Sequence, residues 1–195
     1  MDDDLRPLHR RALEIAGGYV GEIDASDLTN PTPCDQWTLA DLLAHMIGQH
    51  EGFALAVRAG TAAPSAYAPV PFSRERWDAS VATILTAFDD AGVDDTAVLV
   101  ELIPSPLPLS LVGGAQLVDT GVPTWDVALS LGRWYEPPDE LVPAVVELAE
   151  LVPDDPDRSG SEAFGPSRPG VGSPWQRVLA RLGRDPRPPD QRRDA

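Results

Sequence analysis

The chain of 195 residues contains no lysine, a single cysteine and only three histidines. Its 15 positively charged side chains are all arginines, and they stand against 31 acidic residues, which leaves a net charge of −16. A surface of this charge repels nucleic acid and anionic membranes, so we expect neither as a partner. The single cysteine excludes an internal disulfide framework and favours a reducing compartment, which predicts a cytoplasmic protein.

From the first residues and the apolar runs we expect neither a signal peptide nor a membrane span. Residues 1–4 contain three aspartates where a signal peptide would have a basic and then an apolar region. The longest uncharged run, residues 102–118, is interrupted by three prolines. With 43% hydrophobic and 24% charged residues, the composition is that of a globular protein, and the length suits about one domain.

The charge is distributed unevenly along the chain. Residues 1–152 carry 24 acidic residues and 7 arginines, a net charge of −17, whereas residues 153–195 carry 7 acidic residues and 8 arginines, a net charge of +1. Proline and glycine are dense between residues 153 and 174, and a short helical pattern follows at residues 175–182. We therefore predict a folded unit at residues 1–152 and, at residues 153–195, an extended strap with a short helix and a flexible tail.

Apolar periodicity predicts a helical protein. Apolar side chains recur at three-and-four spacing in five stretches, at residues 5–23, 39–60, 74–91, 109–134 and 139–151. Thr38 and Asp41 have the spacing of a capping box, and Ser73 is placed as an N-cap. One β-like run occupies residues 96–103, and the alternating prolines after it predict an extended crossover. The predicted fold is all-α, an up-down four-helix bundle with a long crossover.

The few histidines limit any histidine-based site. His45 and His50 are five residues apart in one predicted helix, about 140° around its axis, so they cannot chelate one ion from an intact helix. His50 falls on the apolar stripe and His9 aligns with apolar positions of the first helix, which is typical of core histidines bonded to a neighbour. His45 lies at the polar edge, where it is either a solvated surface residue or a site residue.

Two further residues are candidates on physical grounds. Asp119 lies on a mostly apolar helix face, where an unpaired carboxylate is costly, so it is a site residue unless that face is half exposed. Cys34 precedes a helix start, whose dipole would lower the pKa of its thiol. The flanking Pro33 and Trp37 favour instead a structural role for Cys34 in the turn.

Two longer motifs carry a resemblance. Residues 32–50 read TPCDQWTLADLLAHMIGQH, and residues 117–128 read LVDTGVPTWDVA. Together with AFGP at residues 163–166 and LARLGRDP at residues 179–186, they resemble the metal-binding N-terminal domain of mycothiol-dependent maleylpyruvate isomerases, an actinobacterial type within the DinB-like superfamily. The resemblance covers nearly the whole chain. It implies a DinB-like four-helix bundle that holds a divalent metal, commonly zinc or nickel, between its helices.

The resemblance also implies a ligand set, which this chain keeps only in part. The family's first histidine ligand falls on His45 and its carboxylate ligand on Asp119. Its third ligand, a histidine four residues beyond the carboxylate, falls on Pro123. Two protein ligands would hold a metal weakly, since catalytic zinc sites keep three. Weaker substitutes, by position on the same helices, are Gln49, His50 and Gln116.

Pro123 has a second consequence, for the helix itself. A proline in a helix interior removes the hydrogen bond to the carbonyl four residues earlier, here that of Asp119, at a cost of about 3 kcal/mol. We therefore expect the helix either to kink at this point or to stop and restart. Either change would alter the geometry between Asp119 and His45.

Two functions follow from the resemblance. In the first, a metal lowers the pKa of the thiol of mycothiol for transfer or isomerisation, although the chain has no room for the isomerase's separate C-terminal domain. In the second, the fold is a metal-free binding or scaffold module. Either would take a small-molecule ligand or thiol. Apolar residues at 107–112 would in addition suit a homodimer contact.

Overall fold

The computed structural model describes residues 4–34, 37–92, 94–99, 103–152, 164–170 and 172–187. Within them the chain forms α1 Arg6–Gly21, α2 Leu39–Ala59, α3 Arg74–Asp90, α4 Leu109–Ser130, α5 Val142–Ala149 and α6 Pro174–Arg181. Single 3₁₀ turns lie at Asp27–Thr29 and Pro64–Tyr67, and the strands β1 Thr96–Leu99 and β2 Ile103–Pro108 connect α3 to α4. The predicted all-α bundle with a short C-terminal helix is confirmed. None of the described helices has the length and apolarity that a membrane crossing requires.

The fourth helix is the centre of the bundle. Helices α1 and α2 pack along α4, and α5 packs against it as well. Every residue of α4 from 120 to 128 is buried, and Leu117, Val122 and Trp125 have no exposed surface. The helix is continuous through Pro123, so of the two predicted outcomes the stop and restart is wrong. Burial of the surrounding apolar surface offsets the local cost of the proline.

The start of α2 agrees with the prediction and fixes the loop in front of it. The hydroxyl oxygen of Thr38 accepts the backbone N–H of Asp41 at 3.3 Å, and the Asp41 carboxylate accepts the backbone N–H of Thr38 at 3.0 Å. This capping box satisfies two of the free N–H groups at the helix start. The backbone N–H of Leu39 also donates to the carbonyl of Asn30 at 2.9 Å. Asn30 and Thr38 are therefore tied to the first turn of α2.

The extended crossover that the prolines predict is a β-hairpin instead. Strands β1 and β2 pair antiparallel, with Thr96 opposite Pro108 and Leu99 opposite Ile103. A ladder of two strands consists only of edges, so a proline that lacks an N–H can occupy the side that has no partner strand. The hairpin packs against α2 and α4 through Ala97, which is fully buried.

Helix α6 and Leu182 just after it complete the core. Helix α6 begins with a capping box formed by Ser173 and Gln176. Its apolar side chains join the same core cluster as α4 and α5, and these are Trp175, Val178, Leu179 and, just after the helix, Leu182. The predicted strap falls largely on residues 153–163, which lie outside the described residues, and the domain boundary at residue 152 stays a prediction.

Gly48 in α2 allows the turn after α2 to pack against the helix. A Cβ at this position would lie 2.8 Å from the carbonyl oxygen of Tyr67 and would also overlap the carbonyl of Ala68. Because backbone atoms cannot move aside as a side chain can, Gly48→Ala should lower the free energy of unfolding by about 1–3 kcal/mol in urea denaturation. The matched control is Gly121→Ala in α4, where nothing lies within 4 Å of the new Cβ. We expect it to stabilise by up to about 1 kcal/mol, and equal effects of the two substitutions would contradict this packing.

Candidate functional site

His45 on α2 and Asp119 on α4 face each other where the two helices pack. Nε2 of His45 lies 3.8 Å from Oδ1 of Asp119, and each side chain keeps 12% of its surface exposed. This distance is too long for a hydrogen bond. Within the described part of the chain, the buried Nε2 atom has no hydrogen-bond partner. The two residues that the sequence selects first therefore lie together near the solvent, and we call them the polar pair.

The orientation of His45 depends on the loop before α2. The ring of Trp37 lies against the imidazole, with centroids 5.0 Å apart and planes at 49°. The backbone N–H of Trp37 donates to the carbonyl of Cys34 at 3.1 Å. The hydroxyl of Thr32 lies 3.0 Å from the carbonyl oxygens of both Cys34 and Trp37. These bonds fix the backbone of Trp37, whose indole lies against the His45 ring.

His50 and His9 are core residues, as their positions on the apolar stripes predict. Nδ1 of His50 lies 3.0 Å from Oγ of Ser80. That hydroxyl donates to the carbonyl of Trp77, so it accepts the N–H of the imidazole. Burial lowers the pKa of His50 to about 3, with smaller contributions from the other histidines. Burial likewise lowers the pKa of His9 to about 4.

The remaining sequence candidates do not complete a metal site. Oε1 of Gln116 accepts the hydroxyl of Thr120 at 3.0 Å. The other polar group of this side chain is an amide N–H₂, which only donates hydrogen bonds and cannot ligate a cation. Gln49 is half-buried one turn beyond His45, and Pro123 has no ligating atom. Over the described ranges, no three side chains of His, Cys, Asp or Glu are grouped so that they could hold a metal. These residues therefore do not fit the three-ligand arrangement of a catalytic zinc site.

A second polar group, which sequence reasoning missed, lies two helical turns along α4 from Asp119. The carboxylate of Asp126 is fully buried and pairs with the guanidinium of Arg184, Nη2 to Oδ2 at 2.7 Å. The same Nη2 lies 2.9 Å from Sγ of Cys34, whose thiol in turn lies 3.3 Å from Oδ2. We call these three residues the arginine cluster. Asp126 follows Asp119 by seven residues and so shares its helix face, which was the available sequence signal.

Electrostatics in the arginine cluster keep the guanidinium charged and the thiol neutral. Burial alone would lower the pKa of Arg184, but the Asp126 carboxylate beside it raises that pKa. Burial raises the pKa of Cys34 to about 12, and the charge of Asp126 adds to the increase. The lowered thiol pKa expected from the helix dipole is therefore wrong. The contacts of Cys34 with Arg184 and Asp126 agree with the structural role that its neighbours in the sequence favour.

A comparison with known protein families gives a match over more than half of the chain. Residues 9–128 match the family described as Mycothiol maleylpyruvate isomerase N-terminal domain. The chain belongs to this family. This mycothiol isomerase N-terminal family implies the DinB-like superfamily, in agreement with the helical bundle. The matched range includes His45, Asp119 and Asp126 and ends before Arg184.

Two curated relatives of the chain add no assigned activity. A stretch of 43 residues is 37% identical in two Mycobacterium tuberculosis proteins, Uncharacterized protein MT0763 of strain CDC 1551 / Oshkosh and Uncharacterized protein Rv0738 of strain ATCC 25618 / H37Rv. It amounts to 22% of this chain and 24% of each relative, so the match spans about a quarter of their length. No solved structure matches the chain significantly.

Proposed function

We propose that the chain is a metal-independent, non-catalytic binding module, in which the polar pair holds the head group of a small molecule. The observation that carries this proposal is the unpartnered Nε2 of His45 at 3.8 Å from Oδ1 of Asp119, with both side chains near the solvent. A buried nitrogen without a partner is costly, and a ligand that bonds it removes that cost.

The chemistry of the polar pair selects a neutral hydrogen-bond donor. An ionised carboxylate only accepts hydrogen bonds, and Nε2 of a neutral imidazole accepts when its proton is on Nδ1. A thiol or hydroxyl head group would donate to either atom. The negative charge of Asp119 disfavours a thiolate in the same place, since like charges repel. Arg184, which interacts electrostatically with Asp119, is already bonded to Asp126 and Cys34. A bound thiol therefore keeps its proton, which suits binding better than nucleophilic transfer.

The family name makes mycothiol the first ligand to test, because its thiol is a donor of the required kind. We expect isothermal titration calorimetry to show binding of reduced mycothiol. S-methyl mycothiol, which has no S–H, should bind about tenfold or more weakly, since a hydrogen bond to a charged acceptor contributes about 1.5–3 kcal/mol. Asp119→Asn should remove most of that difference. Equal affinity for the two compounds would contradict the assignment of the thiol to the polar pair.

A divalent metal is the alternative occupant, and metal analysis separates the two. The polar pair would supply two ligands to zinc or nickel, and no third His, Cys, Asp or Glu among the described residues is grouped with them. After the protein is loaded with zinc or nickel and dialysed into metal-free buffer at neutral pH, we expect it to retain less than about a tenth of an equivalent of either metal. A full equivalent that is lost in His45→Ala would overturn the metal-independent proposal and favour a thiol transferase or isomerase.

A further inference from the structure

Arg184 lies beyond the range that the family covers, yet its side chain ends next to the candidate site. The guanidinium is 3% exposed. Its Nη2 atom contacts two different elements of the bundle, the carboxylate of Asp126 on α4 and the thiol of Cys34 in the loop before α2. These are the two elements that carry or orient the polar pair.

The first contact fixes the face of α4. Nε and Nη2 of Arg184 donate to Oδ2 of Asp126 at 3.2 and 2.7 Å. Asp119 lies seven residues before Asp126, about two turns earlier on the same side of the helix. A buried, forked ion pair restricts the direction of approach as well as the distance. It therefore holds the rotation of α4, and with it the direction in which Asp119 faces α2.

The second contact fixes the loop that covers His45. Nη2 of Arg184 lies 2.9 Å from Sγ of Cys34. The carbonyl of Cys34 accepts the backbone N–H of Trp37, whose indole lies against the imidazole. Arg184 is thus linked to His45 through three consecutive contacts and to Asp119 through one helix.

Arg184 itself is anchored firmly to the C-terminal segment. Its backbone N–H donates to the carbonyl of Leu179 at 2.8 Å, and its Nη1 donates to the carbonyl of Leu182 at 2.8 Å. Both leucines are fully buried. Gly183 has a φ of +87°, and a Cβ there would lie 2.6 Å from backbone atoms of Gly165, so only glycine permits this close approach. The guanidinium is held from several directions before it reaches the bundle.

We propose that Arg184 is a positioning residue for the polar pair, which it sets by tying α4 and the loop before α2 to the C-terminal segment. A buried ion pair stabilises a fold little compared with apolar side chains of the same volume, so its contribution here is to geometry. The inference rests on the proposed function only in taking His45 and Asp119 as the site. Its test needs neither metal nor thiol.

The experiment measures the accessibility of all three histidines with diethyl pyrocarbonate, followed residue by residue with peptide mass spectrometry. The variant is Arg184→Met combined with Asp126→Leu, which removes both buried charges and so leaves neither unpaired. Arg177→Ala is the control, because Arg177 is an exposed arginine of α6 whose side chain, among the bonds described, donates only to the nearby carbonyl of Gly172. His9 and His50 are each 1% exposed and report global loosening.

We expect the modification rate of His45 in the double variant to rise about tenfold, as a local opening of the loop and of α4 would produce, while those of His9 and His50 stay unchanged. Arg177→Ala should leave all three rates at the wild-type values. An unchanged rate at His45, or an equal rise at all three histidines, would overturn the proposal, the latter by assigning Arg184 a purely structural role. If mycothiol does not bind but the histidines show the expected modification pattern, the proposed function is rejected and the positioning role of Arg184 is retained.

Discussion

Replacing Arg184 by methionine should lower the free energy of unfolding by about 3–5 kcal/mol, because the substitution leaves the carboxylate of Asp126 buried without a counter-charge. Asp126 has no exposed surface, so water cannot solvate the charge that remains. The nearby thiol of Cys34, at 3.3 Å from Oδ2, is only a weak donor. Urea denaturation monitored by circular dichroism at pH 7 measures the loss.

Two controls separate burial from pairing in this prediction. Arg10 and Asp89 form an ion pair with the same 2.7 Å distance, but their side chains are 45% and 53% exposed. Arg10→Met should therefore change stability by less than about 1 kcal/mol. The double variant Arg184→Met with Asp126→Leu should recover most of the stability that the single variant loses. If the double variant is as unstable as the single one, the loss comes from packing and not from the unpaired charge.

The sequence predicts the helices well because their signals are local. The apolar stripes and the capping box of Thr38 and Asp41 lie within one helix or its first turn, and the structure retains both. The β-hairpin was not predicted, since its prolines remove donors that a strand normally needs and only the pairing with β1 accommodates them. Helix α4 remains continuous through Pro123 for a similar reason, because surrounding helices bury it. In both cases tertiary packing decides against the local preference.

The candidate site likewise contains some residues that local sequence signals predict and others that only tertiary packing brings together. His45 and Asp119 were found from motif resemblance and helix position, and the structure brings them within 3.8 Å of each other. Their role as metal ligands stays a prediction. The arginine cluster joins residues 150 positions apart, Cys34 and Arg184, and no periodicity in the sequence reports such a contact. Cys34 also shows the limit of a local argument, since the helix start would lower its pKa whereas burial raises it.

Lowering the pH from 7 to 5 should reduce the free energy of unfolding by about 4 kcal/mol, because two buried histidines stay neutral in the folded state. Burial lowers the pKa of His50 to about 3 and that of His9 to about 4, from 6.5 when unfolded. Below pH 6.5 the unfolded chain binds two protons that the folded protein does not, so stability falls with pH through this window. Each histidine contributes about 2 kcal/mol at pH 5, and urea denaturation at several pH values measures the sum.

Substitution of the two histidines tests whether they cause the slope of the free energy of unfolding against pH between pH 7 and pH 5. Carboxylates with lowered pKa values, such as Asp41 and Asp4, lose their contribution only as the pH falls below their ordinary value of 3.8, outside the window. His50→Asn keeps an N–H that can donate to Ser80 and removes the titrating group, so it should halve the slope. Adding His9→Gln, which keeps a polar group near Gln116, should abolish most of the remainder. A slope that persists in the double variant would mean that neither histidine is excluded from protonation by the fold, and that burial among α1, α2 and α3 does not lower their pKa values.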